Sequence, residues 1–91
     1  MSVAQVAKAQ IIEQYQLFAG DTGSSPVQIA LLTARIRHLT EHLKSHRHDF
    51  HTAYGLKKLV SQRKKLMKYF KGRELSAYQQ LLKALELRDI K

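Results

Sequence analysis

Apolar side chains in this chain recur at steps of three and four rather than two, a spacing that predicts helices and no strands. The clearest run is Ile29, Leu32, Ile36, Leu39 and Leu43, the stripe of a long helix packed against antiparallel neighbours. Ser25 reads as its N-cap, Pro26 as the first helical residue, where a missing N–H is harmless, and Gln28 as the capping-box partner. Helix two therefore runs from residue 25 to about 45. The polar segment from Ser45 to Asp49 is a turn, and Asp49 caps helix three, which carries Leu56, Leu59, Leu66 and Phe70 inward, reaches Lys71 and stops at Gly72. Helix four, about 74 to 86, repeats the pattern with Leu75, Tyr78, Leu82 and Leu85. Helix one, about 3 to 17, opens on a capping box of Ser2 and Gln5 and sets Val3, Ala7, Ile11 and Phe18 roughly on one side. Its weak amphipathicity predicts loose attachment, with Gly20 allowing it to swing. The expected fold is all-α: a small four-helix bundle built on a long helix two/helix three hairpin, one domain over residues 1–91.

Composition sharpens this picture in two ways. A chain of 91 residues without cysteine has no disulfide and no thiolate zinc site to staple a small core, and a reducing cytoplasm suits it. The beginning, MSVAQVAKAQ, lacks the apolar block and cleavage site of a signal peptide, and no apolar run approaches the roughly 18 residues of a membrane span, so a soluble, unprocessed chain is expected. The net charge of +9 is concentrated in one place. Between residues 51 and 73 stand Lys57, Lys58, Arg63, Lys64, Lys65, Lys68, Lys71 and Arg73 with no acid, whereas the segments 1–20 and 74–91 each balance to zero. Solvated helix faces usually interleave both signs, so this block reads as a polyanion footprint. A membrane surface fits less well, because the apolar stripes are committed to a core.

Three patterns suggest specific chemistry. The stretch DTGSSP at 21–26 resembles the Asp-Thr-Gly turn of an aspartic protease, but such enzymes need a β-rich frame and a second carboxylate, and SSPVQIALL begins a helix. The same loop offers backbone N–H groups at a positive helix end, which suit a phosphate oxygen provided the Asp21 side chain turns away. His38, His42 and His46, spaced by four, have the spacing to share a metal, yet Arg35, Arg37, Lys44 and Arg47 crowd them and oppose a cation, so no metal or cofactor is expected. Gln28, Arg35, His42 and Asp49 lie seven apart, tracking one flank of helix two with a drift of about 20° per heptad. Gln28 to His42 then spans ~21 Å of amide, guanidinium and imidazole groups able to reach along a nucleic-acid groove, the alternative being four unrelated surface residues of which Gln28 and Asp49 serve only as caps.

The run from DTGSSPVQIALLTARIRHLTEHL to GLKKLVSQRKKLMKYF resembles the small-subunit ribosomal protein S-fifteen family of bacterial or organellar type, over about residues 18 to 88. DTGS, VQIALLT, LTEHL, the HxxDxH spacing at 46 to 51 and GLxxLVSQRxxL carry the likeness. The resemblance implies a four-helix structural protein, not an enzyme, that binds small-subunit ribosomal RNA at a three-way junction and at a nearby helix with a G·U/G·C motif. It also implies a part in nucleating the platform among neighbouring platform proteins, an intersubunit bridge to large-subunit ribosomal RNA, and residence in cytoplasmic or organellar ribosomes, with no small-molecule substrate and no membrane. Carried over, the junction contacts fall on Thr22, Gly23, Gln28, Arg35 and Tyr69, with basic support from Arg63, Lys64 and Lys65. The minor-groove contacts fall on His42, Asp49 and Thr52, the last a threonine where the family has serine.

The sequence departs from the family where two arginines are common, at Ala53 and Tyr54, and at Lys64, which keeps the charge of arginine without its bidentate fork. The tail ELRDIK lacks the usual glycine before Leu-Arg, which leaves the path of the C-terminus open. A DNA-binding helical module is the principal competitor, although a helix-turn-helix joins shorter helices through a tighter turn.

Overall fold

A computed structural model of the chain describes residues 3–21 and 23–90, with the side chains of residues 3–7 left aside. The element order is α1 (Val3–Tyr15), α2 (Ser25–Ser45), α3 (Phe50–Arg73) and α4 (Leu75–Leu85), and no strand occurs among the described residues. The all-α bundle on a long hairpin is therefore what forms. α2 and α3 pack along each other, α4 folds back on both, and α1 rests less tightly on α2.

The core is small and sits where α2, α3 and α4 converge. Ile29 and Ala30 of α2 meet Met67 and Phe70 of α3 and Tyr78, Leu81 and Leu85 of α4, with Ile11 and Tyr15 packed against the edge. Each fully buried side chain of this size contributes about 1.5–3 kcal/mol relative to exposure. Thr33 is also buried, and its hydroxyl donates to the Ile29 carbonyl at 2.8 Å, so a polar atom enters the interface already satisfied.

Element boundaries differ from the sequence expectation for identifiable reasons. α1 ends at Tyr15, and Leu17 and Phe18 beyond it are 67% and 66% exposed, so Phe18 is not on the inner side. Of the others assigned to that side, Ile11 does pack on the core, while the side chains of Val3 and Ala7 and the Ser2 capping box lie outside the described residues. The residue capping α2 is Ser24, one earlier than Ser25, and the loop is held by Asp21 instead of a serine cap. Gly72 does not stop α3, because it keeps helical backbone; the break comes at Glu74, whose φ of -143° is extended. α4 turns Tyr78, Leu81 and Leu85 inward, which leaves Leu82 half-buried and Leu75 53% exposed.

The C-terminal path has a definite course. Glu86 occupies the left-handed region at φ 55°, its N–H donates to Lys83 and the N–H of Leu87 to Leu82, the pair of bonds that defines a Schellman stop. Beyond it, Leu87 and Ile90 pack on the core, and Asp89 accepts from the Tyr78 hydroxyl at 2.6 Å and from Lys71 at 3.0 Å. Glutamate is a poor occupant of this backbone position, since an L-residue with a Cβ pays about 1–2 kcal/mol there and glycine does not. Replacing Glu86→Gly is expected to stabilise the fold by about 1 kcal/mol and raise its melting temperature by about 4–8 °C, measured by thermal circular dichroism. An unchanged or lower melting temperature would contradict this backbone assignment.

Candidate nucleic-acid interface

The hairpin turn brings together the three residues expected to read a minor groove. α2 ends at Ser45, so Asp49 is not a fourth rung on that helix but the N-cap of α3, returned to His42 by the reversal of the chain. Its Oδ1 accepts the Thr52 N–H at 3.1 Å and its Oδ2 accepts the Thr52 hydroxyl at 2.6 Å. His42 Nε2 lies 3.0 Å from the same Oδ2. The Thr52 hydroxyl first, then its N–H and then His42 hold the Asp49 carboxyl at a pKa of about 2, so at neutral pH it is an acceptor only. His42 Nε2 must then carry the hydrogen, and the Thr52 oxygen keeps its lone pairs for an outside donor. His46 stacks on His42 with ring centroids 4.3 Å apart.

A second aspartate organises the loop before α2. Asp21 is only 4% exposed, and its carboxylate accepts from the N–H groups of Leu17 at 3.0 Å, Gly23 at 3.1 Å and Ser24 at 3.0 Å. These bonds, that of Leu17 foremost, hold its pKa at about 2. The Gly23 and Ser24 amides of this loop are therefore taken by the chain's own carboxylate, so the Asp21 side chain turns into the loop and not away from it. The same engagement leaves Asp21 unlike a catalytic aspartate. Gln28 reaches back through Nε2 to the Gly23 carbonyl, fixing Gly23 beside the start of α2. Thr22, the remaining junction candidate of this loop, lies outside the described residues.

The other junction candidates divide between two faces. Gln28 and Lys65 line one groove between α2 and α3, with Leu31, Leu32, Gln62 and Leu66. Arg35 is exposed and lines the neighbouring groove between α1 and α2, with Lys8, Ile11 and His38. Lys64 and Lys65 are exposed, and Tyr69 is 56% exposed with the Arg73 guanidinium 5.2 Å from its ring centroid. Arg63 stands apart from these: it is half-buried against α2, donates to the Thr33 hydroxyl at 3.3 Å, and burial, followed by the nearby Arg37 charge, lowers its pKa. Arg37 itself donates to the Leu85 carbonyl at the end of α4. Sequence reasoning missed Arg73 as the partner of Tyr69, although the i,i+4 spacing of a tyrosine and a cation on α3 was visible.

Two other chemistries receive no support from this geometry. Among the described residues no group of three His, Asp or Glu side chains gathers to hold a metal ion. Among the same residues no helix is long and apolar enough to cross a membrane. An acid-free basic helix beside a pre-formed His–Asp–Thr cluster defines instead a class of all-helical protein built to meet a polyanion along one side.

Comparison with known proteins agrees with that class and narrows it. Residues 8–88 match the family described as Ribosomal protein S15. The chain is 58% identical over 79 residues, 87% of its length and 92% of the relative's, to the small ribosomal subunit protein uS15 of Vesicomyosocius okutanii subsp. Calyptogena okutanii. It is 55% identical over 83 residues to that of Opitutus terrae, covering 91% of this chain and 94% of the relative. It is 52% identical over 88 residues to that of Bordetella avium, covering 97% and 99%. The chain belongs to the ribosomal protein S15 family.

Both aspartates titrate well below the ordinary value of 3.8, which gives the fold a defined acid limit. With folded values near 2 and an unfolded value of 3.8, the unfolded chain binds more protons in that interval, so their stabilisation is present above pH 3.8 and is lost as pH falls towards 2. Urea unfolding followed across that interval is expected to show falling stability, with a shallower fall in Asp49→Asn. An unaltered slope in that variant would remove Asp49 from the account.

Proposed function

We propose that this chain is a structural constituent of the small ribosomal subunit that binds small-subunit ribosomal RNA at a three-way junction and at an adjacent G·U/G·C helix. The single observation that carries the minor-groove part is the cluster of Asp49 with His42 and Thr52, which exists in the free protein and costs no reordering on binding. A-form RNA presents a wide, shallow minor groove lined by 2′-hydroxyls and base edges, accessible to side chains standing at a helix turn. An ionised carboxylate and the lone pairs of a threonine oxygen accept hydrogen bonds, and the exocyclic amino group of guanine and the 2′-hydroxyl donate them. In a G·U pair that amino group is not engaged by the uracil, so it stays available to such acceptors.

The junction would be held by the other end of the hairpin. Lys64 and Lys65 neutralise phosphates, Gln28 and Arg35 offer an amide and a planar guanidinium from the flank of α2, and the open ring of Tyr69 gives an unstacked base a surface. Thr22 and Gly23 would add contacts to the junction. Arg63 serves differently from Lys64 and Lys65, steadying α3 on α2 through Thr33. By fixing two RNA elements to one rigid hairpin the protein would nucleate the subunit's platform, prepare it for neighbouring platform proteins, and present the α2–α3 turn towards large-subunit ribosomal RNA as an intersubunit bridge. The site of action is the ribosome, cytoplasmic for a bacterial host and organellar for an organelle. The function is architectural and involves no catalysis.

Binding to a minimal three-way RNA junction carrying the G·U/G·C helix, compared with a scrambled junction and a DNA duplex of equal length, tests this directly. Selective binding at physiological salt is expected; equal affinity for all three would refute it. Within that assay Lys65→Ala is expected to weaken binding to every RNA and to reduce the salt slope by roughly one ion. Asp49→Ala should instead erase the discrimination between the G·U pair and a replaced pair. Equal loss on both RNAs would rule out groove reading by Asp49.

A further inference from the structure

α3 carries the Tyr69 arrangement twice. Tyr69 has the Arg73 guanidinium over its ring at 5.2 Å, and Tyr54 has the Lys58 ammonium over its ring at 4.8 Å, each cation four residues towards the C-terminus. Tyr54 is 63% exposed and Tyr69 56% exposed, so each ring leaves most of its surface to water. The continuous helix Phe50–Arg73 puts Tyr54, Lys58, Ser61, Lys65 and Tyr69 within about 80° of arc, with the two rings about 22 Å apart along the axis. This stripe lies opposite the buried side of α3, which carries Leu59, Met67 and Phe70. Between the rings runs a shallow groove lined by Tyr54, Lys57, Lys58, Ser61, Gln62 and Lys65.

We infer that Tyr54, backed by Lys58, is a second base-stacking site, which takes an unpaired nucleobase of an RNA strand whose phosphates follow the lysines of the outer face of α3. Charge complementarity fixes the class of ligand, since α3 contains no acidic residue and Lys57, Lys58 and Lys65 border the groove. The ring fixes the part of the ligand that lies on it. Every base has a π-face, stacking on an aromatic side chain tolerates any sequence, and a cation behind the ring leaves the opposite face free. The inference rests on the RNA-binding reading of α3 and extends it by about four helical turns towards the hairpin tip.

The test is affinity of the full chain for a short oligoadenylate strand and for an abasic strand of the same length and charge. The native protein is expected to prefer the base-bearing strand, Tyr54→Ala to lose at least roughly fivefold of that preference, and Tyr54→Phe to retain it. Photocrosslinking to a strand bearing 4-thiouridine is expected to leave its adduct on Tyr54. Unchanged preference in Tyr54→Ala overturns the inference, as does loss of the preference in Tyr69→Ala alone. Junction binding is measured in parallel: a chain that ignores the junction but loses oligoadenylate through Tyr54→Ala refutes the junction assignment and keeps this one. A chain that binds the junction while Tyr54→Ala is silent does the reverse.

Discussion

A helix of 24 residues that carries eight bases and no acid has to repel itself, and the architecture of this protein follows from how that repulsion is managed. Like charges one turn apart, such as Lys64 and Lys68, each cost a few tenths of a kcal/mol, about 0.2–0.5 by analogy with model helices. Against that stands the burial of Leu59, Met67 and Phe70 on the opposite side of α3, each contributing about 1.5–3 kcal/mol. The packing against α2 and α4 therefore decides that α3 is a helix at all, and it leaves the cations facing water. Arg63 is the exception, drawn into the helix interface by its bond to Thr33, and Lys71 is the other, paired with Asp89. Lys57, Lys58, Lys64, Lys65, Lys68 and Arg73 are left exposed, the surplus that an RNA backbone would neutralise.

The chain's few carboxylates do not offset that surplus, because its three aspartates are spent on local geometry. Asp21 gathers the amides of the loop before α2, Asp49 starts α3 and ties it to His42, and Asp89 anchors the tail on Tyr78 and Lys71. Each sits where the backbone changes direction. The protein thus fixes its own corners with negative charge while keeping the outer face of α3 positive. Asp49 joins both roles, since the cap that sets the hairpin register also holds the His42 and Thr52 side chains in place.

The sequence was legible where a feature repeats along a helix. The stripe from Ile29 through Ile36, the concentration of bases on α3 and the cap at Asp49 were all readable from spacing and residue type. Features that depend on how helices rotate and dock were not: Leu81 faces inward and Leu75 outward because α4 meets Phe70 through Tyr78, which no single-helix pattern specifies. Gly72 was a misleading signal, since glycine permits a helix stop without requiring one, and the stop fell on Glu74. The role of Asp21 was hidden for another reason. Its partners Leu17, Gly23 and Ser24 are backbone groups, and side-chain identity does not announce a backbone bond. Arg63 reads as one more base in a run, and only the buried hydroxyl of Thr33 across the interface distinguishes it from Lys64 and Lys65.

The most direct measurement is the amine reactivity of individual lysines, read by mass spectrometry after brief acylation of the free protein and of its complex with the three-way RNA junction. Lys58, Lys64, Lys65 and Lys68 should lose reactivity in the complex while Lys83 on α4 keeps it. Uniform protection, or protection of Lys83 with the α3 lysines unchanged, would contradict the claim that the unneutralised outer face of α3 is the surface that meets RNA.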